Sequence, residues 1–165
     1  MRLSKLHTIN NGIIGNCENN SVVASATILS AAISTGHLSV AKSEKSDSIA
    51  AALGTCSAAL NNGDYGAAIG TNFASAAISS GHYSTAISTG REAIAIVDGA
   101  ESIAMAIGID SCAKAEVGNY IVLAEWKRDE RGKWHIMDVK SAKVDGKKIK
   151  VNTPYRLENG EFVEA

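Results

Sequence analysis

Between Thr27 and Glu116 the chain alternates small polar, variable and small apolar residues in a phrase that recurs every nine positions. Cut from Thr27, it reads TILSAAIST, GHLSVAKSE, KSDSIAAAL, GTCSAALNN, GDYGAAIGT, NFASAAISS, GHYSTAIST, GREAIAIVD, GAESIAMAI and GIDSCAKAE, without a gap. Two weaker copies, INNGIIGNC and ENNSVVASA, carry the register back to Ile9. The sixth place is Ala in all ten strong copies. The fourth is Ser in eight, with Gly66 and Ala93 the exceptions, and the first is Gly in seven. Nine residues make two and a half helical turns, so successive helical copies would face opposite ways. Nine does suit a strand of about five residues and a corner. The pattern therefore predicts an all-β fold: a parallel β-solenoid, or β-roll, with two nonapeptides per coil. Twelve copies predict six coils about 4.8 Å apart and a rod roughly 29 Å long. Glycine at the first place is expected to supply a positive φ at each corner.

Strand alternation puts places four, six and eight on one face and places five and seven on the other. Place seven holds Lys42 and Lys114, and an unpaired lysine is almost never fully buried. The Ser/Ala/Ser set is thus expected inside, as two thin facing layers whose hydroxyls bond along the ladder. The inverse, an Ile/Val core with Ser and Ala outside, stays open at this level. With Ser and Ala inside, alternate copies show an uncharged outward stripe of Ile33, Ala51, Ile69, Ile87 and Met105, beside Ala31, Ile49, Ala67, Thr85 and Ile103. The opposite side carries Lys42, Leu60, Ile78, Ile96 and Lys114. A contiguous apolar stripe predicts a homo-oligomer, a dimer or trimer, with Ile33, Ile49, Ile69, Ile87, Ile103 and Met105 at its interface.

The repeat fades at Val117, and composition changes with it. Residues 119–165 hold ten of the sixteen Lys and Arg, both tryptophans and the only proline. NYIVLAEW and WHIMDVKSAKV read as two strands, IKVN as a short one, and YRLENGEFVEA as a hairpin around Asn159–Gly160. The organisation expected is a lead-in over 1–8, the solenoid over 9–117 and a small β-meander over 118–165 that caps the rod's open edge, with a separate binding module as the alternative reading of that last segment.

Net charge is −1, too small to draw nucleic acid or an anionic membrane, and neither is expected as a partner. The odd trio Cys17, Cys56 and Cys112 has no metal or disulfide spacing and suits a reducing compartment. With no signal-peptide run, the expected location is the cytoplasm, or a host's cytoplasm for a phage-encoded chain.

Candidate chemistry is sparse. The period matches calcium-binding β-rolls, but their Gly-rich, Asp-bearing corners are missing. Glu92, Glu101 and Asp110 share place three and read as solvated surface. SVAK (39–42) and SCAK (111–114) have the Ser–Lys spacing of penicillin-recognising enzymes, but on a strand the two residues point to opposite faces. His37 and His82 fall on opposite sides of the coil. Thr35, Thr71 and Thr89 make only half of an ice-binding array. The lysines at 140, 143, 147, 148 and 150 lie among acidic residues and read as a solvated face. No cofactor, metal site or catalytic set is expected, and the chain reads as a non-enzyme. Candidate partner contacts are the varied corner residues Tyr65, Phe73, His82, Tyr83 and Arg91, types favoured in binding hot spots.

Residues 101–118, ESIAMAIGIDSCAKAEVG, resemble the SxAxAxG phrases in the heads of trimeric autotransporter adhesins, whose β-rolls trimerise. More of the chain resembles an uncharacterised group of gut-bacterial and prophage proteins. Their nonapeptides run like GxxSAAxxT, and their ending is similar to YIVLAEW, MDVKSAKVDG and YRLENGEFVEA here. That resemblance implies a mobile-element setting and no known activity. The function expected is a non-catalytic oligomeric binding rod with a protein partner, in one version an inhibitor of a host defence protein. The alternatives are a virion, fibre or adhesin-like structural component and, after that, a solenoid acyltransferase-like enzyme.

Overall fold

Places five to eight of each nonapeptide form a strand, and places one to three form the turn that leads into it. The computed structural model describes residues 5–9, as backbone, and 12–165. The lead-in supplies β1 (Lys5–Ile9), and the twelve copies of the repeat supply β2 (Ile13–Asn16), β3 (Ser21–Ser25), β4 (Ala31–Ser34), β5 (Val40–Ser43), β6 (Ile49–Ala52), β7 (Ala58–Asn61), β8 (Ala67–Gly70), β9 (Ala76–Ser79), β10 (Thr85–Ser88), β11 (Ile94–Val97), β12 (Ile103–Ala106) and β13 (Cys112–Ala115). The C-terminal segment adds β14 (Tyr120–Arg128), β15 (Trp134–Lys143), β16 (Tyr155–Glu158) and β17 (Glu161–Glu164). Odd strands stack in parallel from β1 to β13 as one sheet, here sheet A. Even strands stack from β2 to β14 as the other, sheet B. Ile13 pairs with Ala31, and Val22 with Val40, so one coil is two nonapeptides. This is the predicted β-solenoid, with about six turns. The ladder starts ahead of Ile9: β1 places Lys5 opposite Ser21, an offset two residues shorter than in later coils.

The inward set is Ser/Ala/Ser. Every sixth-place alanine from Ala32 to Ala113 is fully buried, and the serines at places four and eight are buried with them. Four fourth-place hydroxyls, those of Ser48, Ser57, Ser102 and Ser111, have a double task. Ser57 Oγ accepts the Ser39 N–H at 3.3 Å and donates to the Gly36 carbonyl at 3.0 Å. Ser111 Oγ accepts the Ala93 N–H at 3.2 Å and donates to the Gly90 carbonyl at 2.7 Å. The serine column thus satisfies corner backbone groups that strand pairing leaves over. The two exceptions have causes. At Gly66 a Cβ would meet the buried Asn61 amide at 2.6 Å, so Asn61 fills the serine's space. At Ala93 the cost falls on a neighbour. Ser25–Ser30, Ser34–Ser39 and Ser79–Ser84 bond across corners, but Ser88 faces Ala93, and its buried Oγ has no partner among the described residues. Ala93→Ser should stabilise the fold by about 1 kcal/mol. Urea unfolding of the two chains measures it, and no gain would show that the Ser88 hydroxyl is satisfied another way.

The corners depart from the sequence expectation. None of the first-place glycines has a positive φ. The left-handed residue is at place three, in eleven consecutive corners, and none of these is glycine: φ runs from 51° at Ala74 to 56° at Leu29 and Asp47. Glycine sits at place one because the coils touch there. A Cβ on Gly99 would lie 2.0 Å from the Gly81 carbonyl oxygen, and on Gly81 2.0 Å from that of Gly63.

The last segment closes the rod by extending both sheets. β14 joins β12 in parallel as a final rung, and β15 turns back antiparallel along it. β16 pairs antiparallel with β13, and β17 with β16. Ile121, Leu123, Val144, Ile149, Tyr155 and Leu157 are buried there and give this end the large side chains that the alanine-lined coils lack. IKVN is not a strand. The Asp145 carboxylate accepts the N–H groups of Lys147, Lys148 and Ile149, and the Tyr155 hydroxyl accepts that of Lys150, so the donors a strand needs are used within the loop. Those N–H groups also hold the Asp145 carboxyl below the usual range.

Candidate interaction surfaces

A two-sheet rod with a packed interior offers two broad faces, two corner edges and its ends. The outward face of sheet B uses places five, seven and nine of β2, β4, β6, β8, β10, β12 and their counterparts on β14. No charged residue stands at any of these from Ile13 to Ala124. The six predicted interface residues all lie on it, Ile49 and Ile103 exposed and Ile33, Ile69, Ile87 and Met105 half-buried. Ile69 is on β8, midway along the run from β2 to β14. Val139, opposite Ala124, carries the surface onto β15, where Lys143 lies 6.0 Å from the Tyr120 ring centre. Sheet A differs. Its outward places include Lys42, Glu44, Asp98, Lys114 and Glu116. Lys42 and Glu44 pair at 2.7 Å, and the lysine holds the Glu44 carboxyl below the usual range.

The five candidate corner residues separate onto two edges. Tyr65, His82 and Tyr83 lie where sheet A strands hand over to sheet B; Phe73 and Arg91 lie on the opposite edge. On the first edge the Tyr65 and Tyr83 rings stack, 5.1 Å between centres and 8° from parallel. The Asp64 carboxylate accepts the His82 N–H at 2.7 Å, and His82 Nδ1 accepts the Ala100 N–H at 3.0 Å. On the second edge Arg91 bridges Glu92 (3.3 Å) and Asp110 (3.7 Å). Glu101 is on the first edge, away from both. His37 and His82 are on opposite edges, as their spacing predicts. Ser39 and Ser111 point inward while Lys42 and Lys114 point out, so neither Ser–Lys pair meets.

A cleft of about 270 Å³ opens between β14 and β16. Three carboxylates line it, Asp110, Glu125 and Glu158, of which only Glu125 is buried, at 6 % exposed. Glu125 accepts the Gly160 N–H at 2.8 Å and pairs with Lys127 at 3.2 Å. The Gly160 N–H first, then Lys127, hold its carboxyl below the usual range. A carboxylate so occupied pins the β16–β17 turn to β14; it offers no free base. No family model, curated protein or solved structure matches the chain. Among the described residues no group of three His, Cys, Asp or Glu stands close enough to hold a metal, and no helix is long and apolar enough to cross a membrane. The C-terminal lysines are partly committed: Lys140 lies 3.4 Å from Asp138 and Lys150 2.5 Å from Glu164.

Asp47, not singled out in the sequence, and Glu101, read there as solvated surface, share the tyrosine column. Asp47 and Glu101 stand one coil before Tyr65 and one coil after Tyr83, a placement that the eighteen-residue coil carries in the sequence.

Proposed function

We propose that this chain is a non-catalytic scaffold that pairs with a second copy of itself through sheet B and presents its corner edges to a protein partner. The uncharged outward face of sheet B carries the reading. Seven strands at about 4.8 Å, each crossed over four residues at about 3.3 Å, give roughly 450 Å² in plan. Two such faces cover about 900 Å² in plan, and the accessible area of corrugated side chains exceeds it; a specific interface needs about 1,000 Å². A flat neutral face opposed to its own copy needs no charge complement, and sheets pack face to face at about 10 Å. One flat face per subunit fits a two-fold pair. The resemblance of the C-terminal segment to prophage proteins supports a host protein as the partner. A non-catalytic rod would act there by covering a surface, as an inhibitor of a defence protein does.

Sedimentation at micromolar concentration tests the pairing. The chain should be a dimer and Ile69→Lys a monomer, a loss of at least 100-fold in self-affinity. Lysine already occupies this place on sheet A, at Lys42 and Lys114, so the coil tolerates it. Leu60→Lys on sheet A should leave the dimer intact. A monomeric or trimeric wild-type chain, or a dimeric Ile69→Lys, overturns the reading.

A further inference from the structure

We infer that the corner edge centred on Tyr65 and Tyr83 is a docking strip for an extended basic segment that carries two arginines four residues apart. The two rings are 64 % and 57 % exposed. Each covers one face of the other, which leaves two outer faces bare. Backbone bonds fix the column to which they belong: Asp47 N–H to the Asp64 carbonyl (2.9 Å), Tyr65 N–H to that of His82 (2.9 Å), and Tyr83 N–H to that of Ala100 (3.0 Å). The outer face of Tyr65 therefore looks along the rod toward the coil of Asp47, and that of Tyr83 toward the coil of Glu101. Neither the Asp47 nor the Glu101 carboxylate has a hydrogen-bond or ion-pair partner among the described residues. Asp64, beside Tyr65, accepts only the His82 N–H. Lys45 is the cation nearest in sequence to this strip, and Lys42 is held by Glu44.

The spacing then selects the ligand. A cation over a tyrosine face sits within about 6 Å of the ring centre. One coil is about 4.8 Å, so a guanidinium stacked on either outer face comes level with the carboxylate on the next coil. Arginine fits because its plane stacks on the ring while its N–H groups reach the carboxylate; an ammonium cannot do both. The two seats are three coils apart, about 14 Å, and four residues of extended chain span about 13 Å and return to the same side. Nucleic acid and acidic peptides are repelled by the same carboxylates.

Fluorescence anisotropy with labelled nonapeptides tests this on the full chain. The probes are Ser/Thr peptides with arginines at places 3 and 7, with arginines at 3 and 4, and with lysines at 3 and 7. The 3/7 arginine peptide should bind at least tenfold more tightly than either of the others. Tyr65→Ser with Tyr83→Ser should lose at least tenfold, and so should Asp47→Asn with Glu101→Gln, both with unchanged melting. Equal affinity for the three peptides, or binding that survives either double substitution, would reduce the effect to diffuse charge and overturn the inference. The strip lies a corner away from the outer face of sheet B, so the monomeric Ile69→Lys chain should bind the 3/7 peptide as wild type does. Retained binding there separates this site from self-association, and loss of it overturns a site on one edge.

Discussion

Gly81→Ala should cost the fold about 2–3 kcal/mol, while Ala74→Gly should stabilise it by about 0.5–1 kcal/mol. Glycine is thus favoured over alanine at both places, two apart in the repeat, for two unrelated reasons. An added Cβ on Gly81 would lie 2.0 Å from the Gly63 oxygen and 2.4 Å from its carbonyl carbon. Both are backbone atoms, with no flexible side chain to yield, so the coils must part locally. Ala74 sits at φ 51°, where an L-residue is strained by roughly 1–2 kcal/mol. Glycine removes that strain and costs about 0.5–1 kcal/mol of backbone entropy, which leaves a small gain. Urea midpoints at unchanged slope measure both. If Gly81→Ala costs nothing, the coils do not touch at place one; if Ala74→Gly brings no gain, the left-handed backbone at place three is not strained.

Leu123→Ala should be costlier, at about 3 kcal/mol, and should bring aggregation with it. Leu123 and Ile121 are fully buried where β14 closes sheet B. Within the coils the inward side chains are mostly Ala and Ser, and the largest fully buried ones, Val23, Asn61 and Val97, are smaller than Leu123. The end segment is where deleting atoms leaves a cavity. A loosened β14 also uncovers the edge of β12, whose free N–H and C=O groups can pair with another chain. Thermal melting with light scattering reads both effects, with Val117→Ala as the exposed control. If Leu123→Ala melts with the control and stays clear, the end segment is not what secures the rod.

The coil was legible because its constraint acts on side chains. Lys42 and Lys114 at place seven were enough to choose the inward face, and alanine at place six recorded the narrow gap between the sheets. The left-handed residue was not legible. Place three carries Leu, Asp, Cys, Tyr, Ala and Glu, because what is constrained there is a backbone angle that different side chains accept. Glycine at place one was visible, but its cause was not: the clash it avoids is with a residue eighteen positions away. IKVN alternates like a strand, and the competing acceptors, Asp145 and Tyr155, lie outside it. For the candidate contacts, side-chain type alone grouped Phe73 and Arg91 with the tyrosines. The even-or-odd copy count that separates His37 from His82 assigns them to the other edge.

Because the strands alternate between two sheets, this architecture has a parity. Eighteen residues added to or removed from the middle of the rod would lengthen or shorten it by one storey and leave every later residue on its own side. Nine would transfer the whole downstream half: β14 would be delivered to the wrong wall, and the hairpins that close the end would meet mismatched neighbours. A gene of this kind can therefore change length by duplication only in double units. Variants of the rod found with other lengths should differ by even numbers of nonapeptides.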